Sequence, residues 1–72
     1  MLGMTRKTEL RRLRRARDLT LADVRQATGV SEPVLSTVER GIVAPKPEQA
    51  NALAQFFGKP ITVLLGEPSE AA

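Results

Sequence analysis

The chain has 72 residues and contains neither cysteine nor histidine, which excludes disulfide bonds and the common zinc sites. A domain of this size buries only about 60% of its unfolded surface, so it needs a well-packed aliphatic core or a second copy for stability. The net charge is +3, and seven of the eleven basic residues lie between Arg6 and Arg17, which favours a polyanion as partner but also fits a solvated helix face.

The hydrophobic pattern predicts helices and no strand. The first helix is predicted from Arg6 to Arg17, with Leu10 and Leu13 on a narrow apolar stripe and Ala16 nearby. Residues 1–5 are expected to form a flexible N-terminus and residues 67–72 a flexible tail, so the folded domain is predicted to span 6–66.

The second helix has clear signals at both ends. Thr20 and Asp23 are three residues apart and match a capping box, with aspartate in place of the usual glutamate. The residues from Leu21 to Thr28 follow helical spacing, and Gly29 is the residue type that ends a helix in the left-handed conformation.

A third helix is predicted over residues 31–40, immediately after this corner. Ser31 is expected to cap it with its hydroxyl. Helical spacing puts Leu35 and Val38 toward the core, with Ser31 and Ile42 on the same side.

Two further helices complete the predicted domain. Pro47 opens the fourth and Gly58 ends it, and Pro60 begins a short last helix. The inward residues of the fourth helix are predicted to be Ala50, Leu53, Ala54 and Phe57. Five helices joined by short turns predict an all-α fold, a compact five-helix bundle.

The second and third helices are separated only by Gly29-Val30-Ser31. Such a short connection forces a sharp angle between the helices and is typical of a helix-turn-helix unit. In that arrangement the first helix crosses the phosphates and the second enters the major groove.

The sequence resembles the Cro and phage-repressor type helix-turn-helix domain, also called the xenobiotic-response-element type, from about Leu10 to Leu65. The resemblance implies a sequence-specific DNA-binding transcriptional regulator of bacterial or phage type, a repressor. The residues that carry it are Leu10, Leu13, Arg14, Thr20, Val24, Gly29-Val30-Ser31, Leu35-Ser36, Val38-Glu39-Arg40-Gly41, Pro45, Leu53-Ala54, Phe57-Gly58 and Leu64.

The resemblance implies which residues face double-stranded DNA. Those expected at the base edges are Ser31, Glu32, Pro33, Val34 and Thr37. Those expected at the sugar–phosphate backbone are Thr20, Leu21, Arg40 and the loop up to Lys46, and the position of Arg25 on the second helix also favours a phosphate.

Several positions depart from the family pattern. Leu21 stands where the family often has a glutamine, Glu32 stands where a glutamine, arginine or lysine is common, and Arg25 replaces a small residue. Glu32 therefore has two interpretations: it accepts a hydrogen bond from the cytosine amine, or it only complements the positive end of its helix. In the second case its charge repels phosphates and the helix stays out of the groove.

The family also implies an ion pair between Arg14 and Glu39, for which a water-exposed position of both side chains is the alternative. A buried carboxylate needs such a partner, and a guanidinium fits it in two-pronged geometry. A homodimer on DNA is expected, because such repressors bind two-fold sites. The candidate dimer residues are Phe56, Pro60 and Val63.

The main alternative to a DNA-binding regulator is a protein-interaction module on the same fold, such as an antitoxin, an antirepressor or an RNA polymerase accessory. An enzyme is not expected, and neither a cofactor nor a metal is predicted. The chain lacks an apolar run of membrane-spanning length and a secretion signal, so no membrane partner and a cytoplasmic location are expected.

Overall fold

The computed structural model describes residues 8–67, and within them the chain is helical without any strand. This confirms the predicted all-α bundle. The predicted flexible N-terminus, together with Arg6 and Lys7, lies outside the described residues, as do residues 68–72 of the predicted tail. The helices are α1 (Glu9–Ala16), α2 (Leu21–Thr28), α3 (Glu32–Glu39), α4 (Pro47–Phe57) and α5 (Ile61–Leu64).

The first helix begins three residues later than its pattern predicts. Thr8 has extended backbone angles and its hydroxyl accepts a hydrogen bond from the Arg11 amide, which makes it the N-cap. The amide and hydroxyl of Thr8 also donate to the carbonyl of Glu39, at 3.3 and 2.8 Å. The cap and the two hydrogen bonds to the end of α3 fix the start of α1 at Glu9.

A single aliphatic core joins the helices. Its members are buried to 8% exposure or less, and most to 2% or less: Leu10, Leu13, Val24, Val30, Leu35, Val38, Leu53, Phe57 and Leu64. The helix pairs α2–α3, α2–α4 and α4–α5 pack against one another around it. Burying one such side chain contributes about 1.5–3 kcal/mol, so this cluster supplies the main stabilising term of the domain.

The prediction that Ile42 and Ser31 share the core side of α3 is wrong: Ile42 is 62% exposed and Ser31 is exposed as well. The helix ends at Glu39, and Gly41 turns the chain with φ +75°. The amide of Ile42 then donates to the Thr37 carbonyl at 3.0 Å, as in a Schellman motif. Because the helical phase stops there, the spacing rule no longer applies to Ile42.

None of the helices in residues 8–67 combines the length and apolarity that crossing a membrane requires.

Candidate nucleic-acid interface

The inner side of α3 is fixed to α1 by a buried ion pair. Arg14 Nε donates to Glu39 Oε2 at 2.5 Å, and a terminal nitrogen of Arg14 donates to Glu39 Oε1 at 3.1 Å. The two side chains are only 14% and 4% exposed. The other terminal nitrogen of Arg14 donates to the Leu19 carbonyl at 2.7 Å. One guanidinium therefore holds α3, α1 and the start of α2 in a fixed relation.

The corner between α2 and α3 sets the direction of the outer face. Gly29 has φ +80°, and its amide donates to the Arg25 carbonyl at 2.8 Å. The Thr28 hydroxyl accepts from the amide of Val30, whose side chain is 2% exposed and anchors the turn in the core. The turn is thus held from both sides, and the outer face of α3 points away from the core.

That outer face carries the residues expected at the base edges. Pro33 is exposed, and Glu32, Val34 and Thr37 are half-buried. The Thr37 hydroxyl donates to the Val34 carbonyl at 2.9 Å, so its proton is used within the helix. Thr37 can meet a base through its methyl group or as an acceptor, and Val34 shares its surface between the core and the outside.

Ser31 occupies the N-cap position of α3, but the expected cap by its hydroxyl is wrong. An N-cap side chain bonds the second or third amide of its helix. The second residue of α3 is Pro33, which has no amide proton, so only the amide of Val34 is left for a cap, and the Ser31 side chain does not bond it. The Ser31 hydroxyl makes no cap bond and is exposed, so it can contact a ligand.

The start of α2 forms the predicted capping box. The Asp23 amide donates to the Thr20 hydroxyl at 3.0 Å, and the Thr20 amide donates to the Asp23 carboxylate at 2.9 Å. The hydrogen bond from the Thr20 amide, followed by that of its side chain, lowers the pKa of Asp23. The Thr20 hydroxyl therefore serves both the amide and the carboxylate of Asp23, and its expected phosphate contact stays a prediction.

The other residues expected at the phosphates differ in exposure. Leu21 packs partly against the core. It therefore has a structural role, in place of the phosphate contact that a glutamine makes at this position of the family. Arg40 and Lys46 are exposed at the end of α3 and before α4. Neither of these two side chains makes a hydrogen bond or ion pair with residues 8–67.

Three of the five described arginines of α1 and its C-cap make contacts within the domain. Arg12 binds the buried carboxylate of Glu9 through two 2.8 Å hydrogen bonds, and Arg14 binds Glu39. Arg17 lies 5.3 Å from the centre of the Phe57 ring and donates to its carbonyl at 3.2 Å. The basic stretch is therefore a smaller phosphate-binding surface than its composition suggests.

Arg15 is a candidate contact that the sequence pattern did not single out. It is exposed and borders an open groove beside the start of α2, together with Thr20, Leu21 and Glu32. Its side chain has no hydrogen-bond partner among residues 8–67. A phosphate near the start of α2 would lie within this groove. Helical spacing could not have found it, because α1 ends at Ala16 and Asp18, with φ +57°, breaks the helix between Arg15 and Thr20.

Arg25 and Glu32 form an ion pair across the helix-turn-helix. Arg25 Nε lies 3.2 Å from Glu32 Oε2, and the side chains are 49% and 43% exposed. Neither sequence interpretation of Glu32 included this contact. Because Arg25 offsets its charge, Glu32 is not a bare carboxylate facing the phosphates.

The candidate dimer residues lie near the end of the chain. Phe56 packs edge-on against Phe57, with ring centres 4.9 Å apart, and is only partly exposed. Pro60 is exposed and Val63 is 43% exposed. These positions leave a modest apolar surface on α4 and α5.

A family model described as "Helix-turn-helix domain" matches residues 8–64, which is most of the chain. The chain is also 35% identical over 60 residues to the cryptic phage CTXphi transcriptional repressor RstR of Vibrio cholerae. That alignment covers 83% of this chain and 54% of the relative, so the chain spans about half the length of the curated relative it matches. No solved structure matches the chain significantly. With the corner at Gly29 and the buried Arg14–Glu39 pair, these findings confirm the resemblance: the chain belongs to the helix-turn-helix domain family.

Proposed function

We propose that the protein is a sequence-specific DNA-binding transcriptional regulator of bacterial or phage type, and that it acts as a repressor. The observation that carries this proposal is the division of α3 into two faces. Its inner face is fixed by Leu35, Val38 and Glu39, all at most 3% exposed. Its outer face begins with Ser31 and Glu32, at the end of the helix that reaches base edges in such domains.

The surroundings of α3 suit a duplex. Thr20 caps α2, Arg15 of α1 borders the same groove, and Arg40 and Lys46 follow α3 along the chain. Cations and hydroxyl donors on both sides of a groove-reading helix are the groups that position a protein on phosphates. The 35% identical relative is named as a phage transcriptional repressor, which supports the same class of function. The proposal implies a cytoplasmic protein without enzymatic activity.

A homodimer on DNA is part of this proposal. One domain offers only about five side chains to the bases, whereas a two-fold site with half-sites about 34 Å apart doubles that number. Phe56, Pro60 and Val63 supply apolar surface for the contact between copies. Analytical ultracentrifugation of the protein with a selected duplex should then give two copies per duplex.

Selection of bound sequences from a random duplex pool tests the function directly. The proposal expects enrichment of a two-fold motif. It also expects affinity for that motif to fall steeply with salt, since each neutralised phosphate contributes a slope of about −0.9. Recovery of no motif would exclude sequence-specific regulation.

One observation favours a second candidate, a protein-interaction module on the same fold. Ile42 and Val43 are 62% and 49% exposed in the loop after α3, where phosphate-binding residues are expected. An exposed apolar loop suits a protein partner better than a polyanion. The salt titration separates the two functions, because an apolar protein interface is much less sensitive to salt than phosphate contacts are.

A further inference from the structure

We propose that Arg25 and Glu32 act together as one unit that reads a single C·G base pair. The proposal rests on the proposed function, because it requires α3 to enter the major groove. It changes the role of Arg25, which the sequence assigns to a phosphate. It also gives Glu32 a defined ligand, the cytosine amine.

The geometry places both groups at the leading end of α3. Glu32 is the first residue of this helix, and the N-terminal residues of a recognition helix contact base edges. Arg25 comes from the last turn of α2 and reaches across the corner, where its Nε lies 3.2 Å from Glu32 Oε2. The Arg25 guanidinium therefore lies beside the Glu32 carboxylate at the end of α3 that would meet the bases.

The pair leaves its base-reading edges open. Arg25 uses Nε toward Glu32, so both terminal nitrogens remain without a partner among residues 8–67. Two such donors fit the O6 and N7 acceptors of guanine. Glu32 uses Oε2, and its Oε1 remains open to accept from the N4 amine of cytosine. One G·C pair presents these acceptors and this donor side by side in the major groove.

The charge of the pair also favours a base over a phosphate. A lone glutamate at the front of α3 would be repelled by the phosphates, and a lone arginine would be attracted to them. The ion pair has no net charge, so the long-range attraction to a phosphate is reduced while directional hydrogen bonding remains. Each side chain is about half exposed, so both can meet a base without rearranging the core.

The test repeats the random-pool selection with Glu32→Gln, Arg25→Ala and the double variant. Lys59→Ala and Glu48→Gln are matched controls, because each removes one charge at an exposed residue outside the helix-turn-helix. Far-UV circular dichroism checks that every variant remains folded. The wild-type motif should contain one C·G pair in each half-site whose replacement lowers affinity about 5- to 150-fold, the range of a good bidentate contact.

Each single variant should lower the preference at that same base pair, and the double variant should lose no more than the worse single variant. The control variants Lys59→Ala and Glu48→Gln should leave the preference at that base pair unchanged. Three results would overturn the inference while leaving the proposed function intact: equal weakening of all sequences by Arg25→Ala, which marks a phosphate contact; an unchanged motif in Glu32→Gln; or losses at two unrelated base pairs. Failure to recover any motif with the wild-type protein would overturn the proposed function, and this inference with it.

Discussion

The substitution Arg14→Ala should strongly destabilise the domain. It removes both hydrogen bonds to Glu39 and the one to the Leu19 carbonyl, and it leaves a carboxylate that is 4% exposed without its cation. Breaking a buried pair by removing one partner costs about 3–5 kcal/mol. For a domain of this size about 1 kcal/mol corresponds to a change of 4–8 °C in Tm, so Tm should fall by at least about 12 °C.

Thermal unfolding followed by far-UV circular dichroism measures this loss, since the chain has no tryptophan or tyrosine to serve as a fluorescent probe. Small domains are stable by only about 5–15 kcal/mol, so Arg14→Ala can approach complete unfolding. Two variants keep the test informative. Arg14→Lys retains the charge without the planar fork and should lower Tm less than Arg14→Ala does. Arg14→Ala combined with Glu39→Gln should have a higher Tm than Arg14→Ala alone. A Tm of Arg14→Ala within about 2 °C of wild type would contradict the reasoning, because such a shift is less than about 0.5 kcal/mol.

Four other substitutions test separate features of the domain. Gly29→Ala should destabilise by about 1–2 kcal/mol through its left-handed backbone alone, because a Cβ there meets no atom within 4 Å; an unchanged urea midpoint would contradict this. The pKa of Asp23 is lowered from 3.8 in the fold, so its stabilising effect is complete above that value and disappears as the pH falls through the lower one. Asp23→Asn should remove that part of the acid dependence of Tm, and an identical pH profile would argue against the capping box. Arg40→Ala and Lys46→Ala should each reduce the salt slope of operator binding by about 0.9, whereas unchanged slopes would show that neither side chain contacts a phosphate.

The helices and the corner could be predicted because their signals are local. Thr20 and Asp23 form the capping box that their spacing indicates, and Gly29 takes the left-handed conformation that only glycine adopts cheaply. Leu35 and Val38 are fully buried, as the helical period requires. Such features depend on neighbours within about one turn of helix.

Local spacing did not predict the features that depend on packing between helices; the Arg14–Glu39 pair was expected only because the family resemblance implies it. The pair of Arg25 and Glu32 exists because the angle at the corner brings two helices together, and no spacing rule contains that angle. The basic stretch favoured a polyanion or a solvated helix face, and neither interpretation includes the contact of Arg17 with the ring of Phe57. Ile42 was misplaced because the chain leaves the helical phase just before it.

The central claim is that the outer face of α3 and the start of α2 form the surface that meets DNA. Backbone amide NMR spectra of the protein, recorded during titration with a selected duplex, test it most directly. The account predicts that the largest shifts cluster at Leu21, Ser31, Glu32 and Thr37, with little change in the core residues of α5. Shifts concentrated on α4 and α5, with α3 unaffected at saturating duplex, would contradict it.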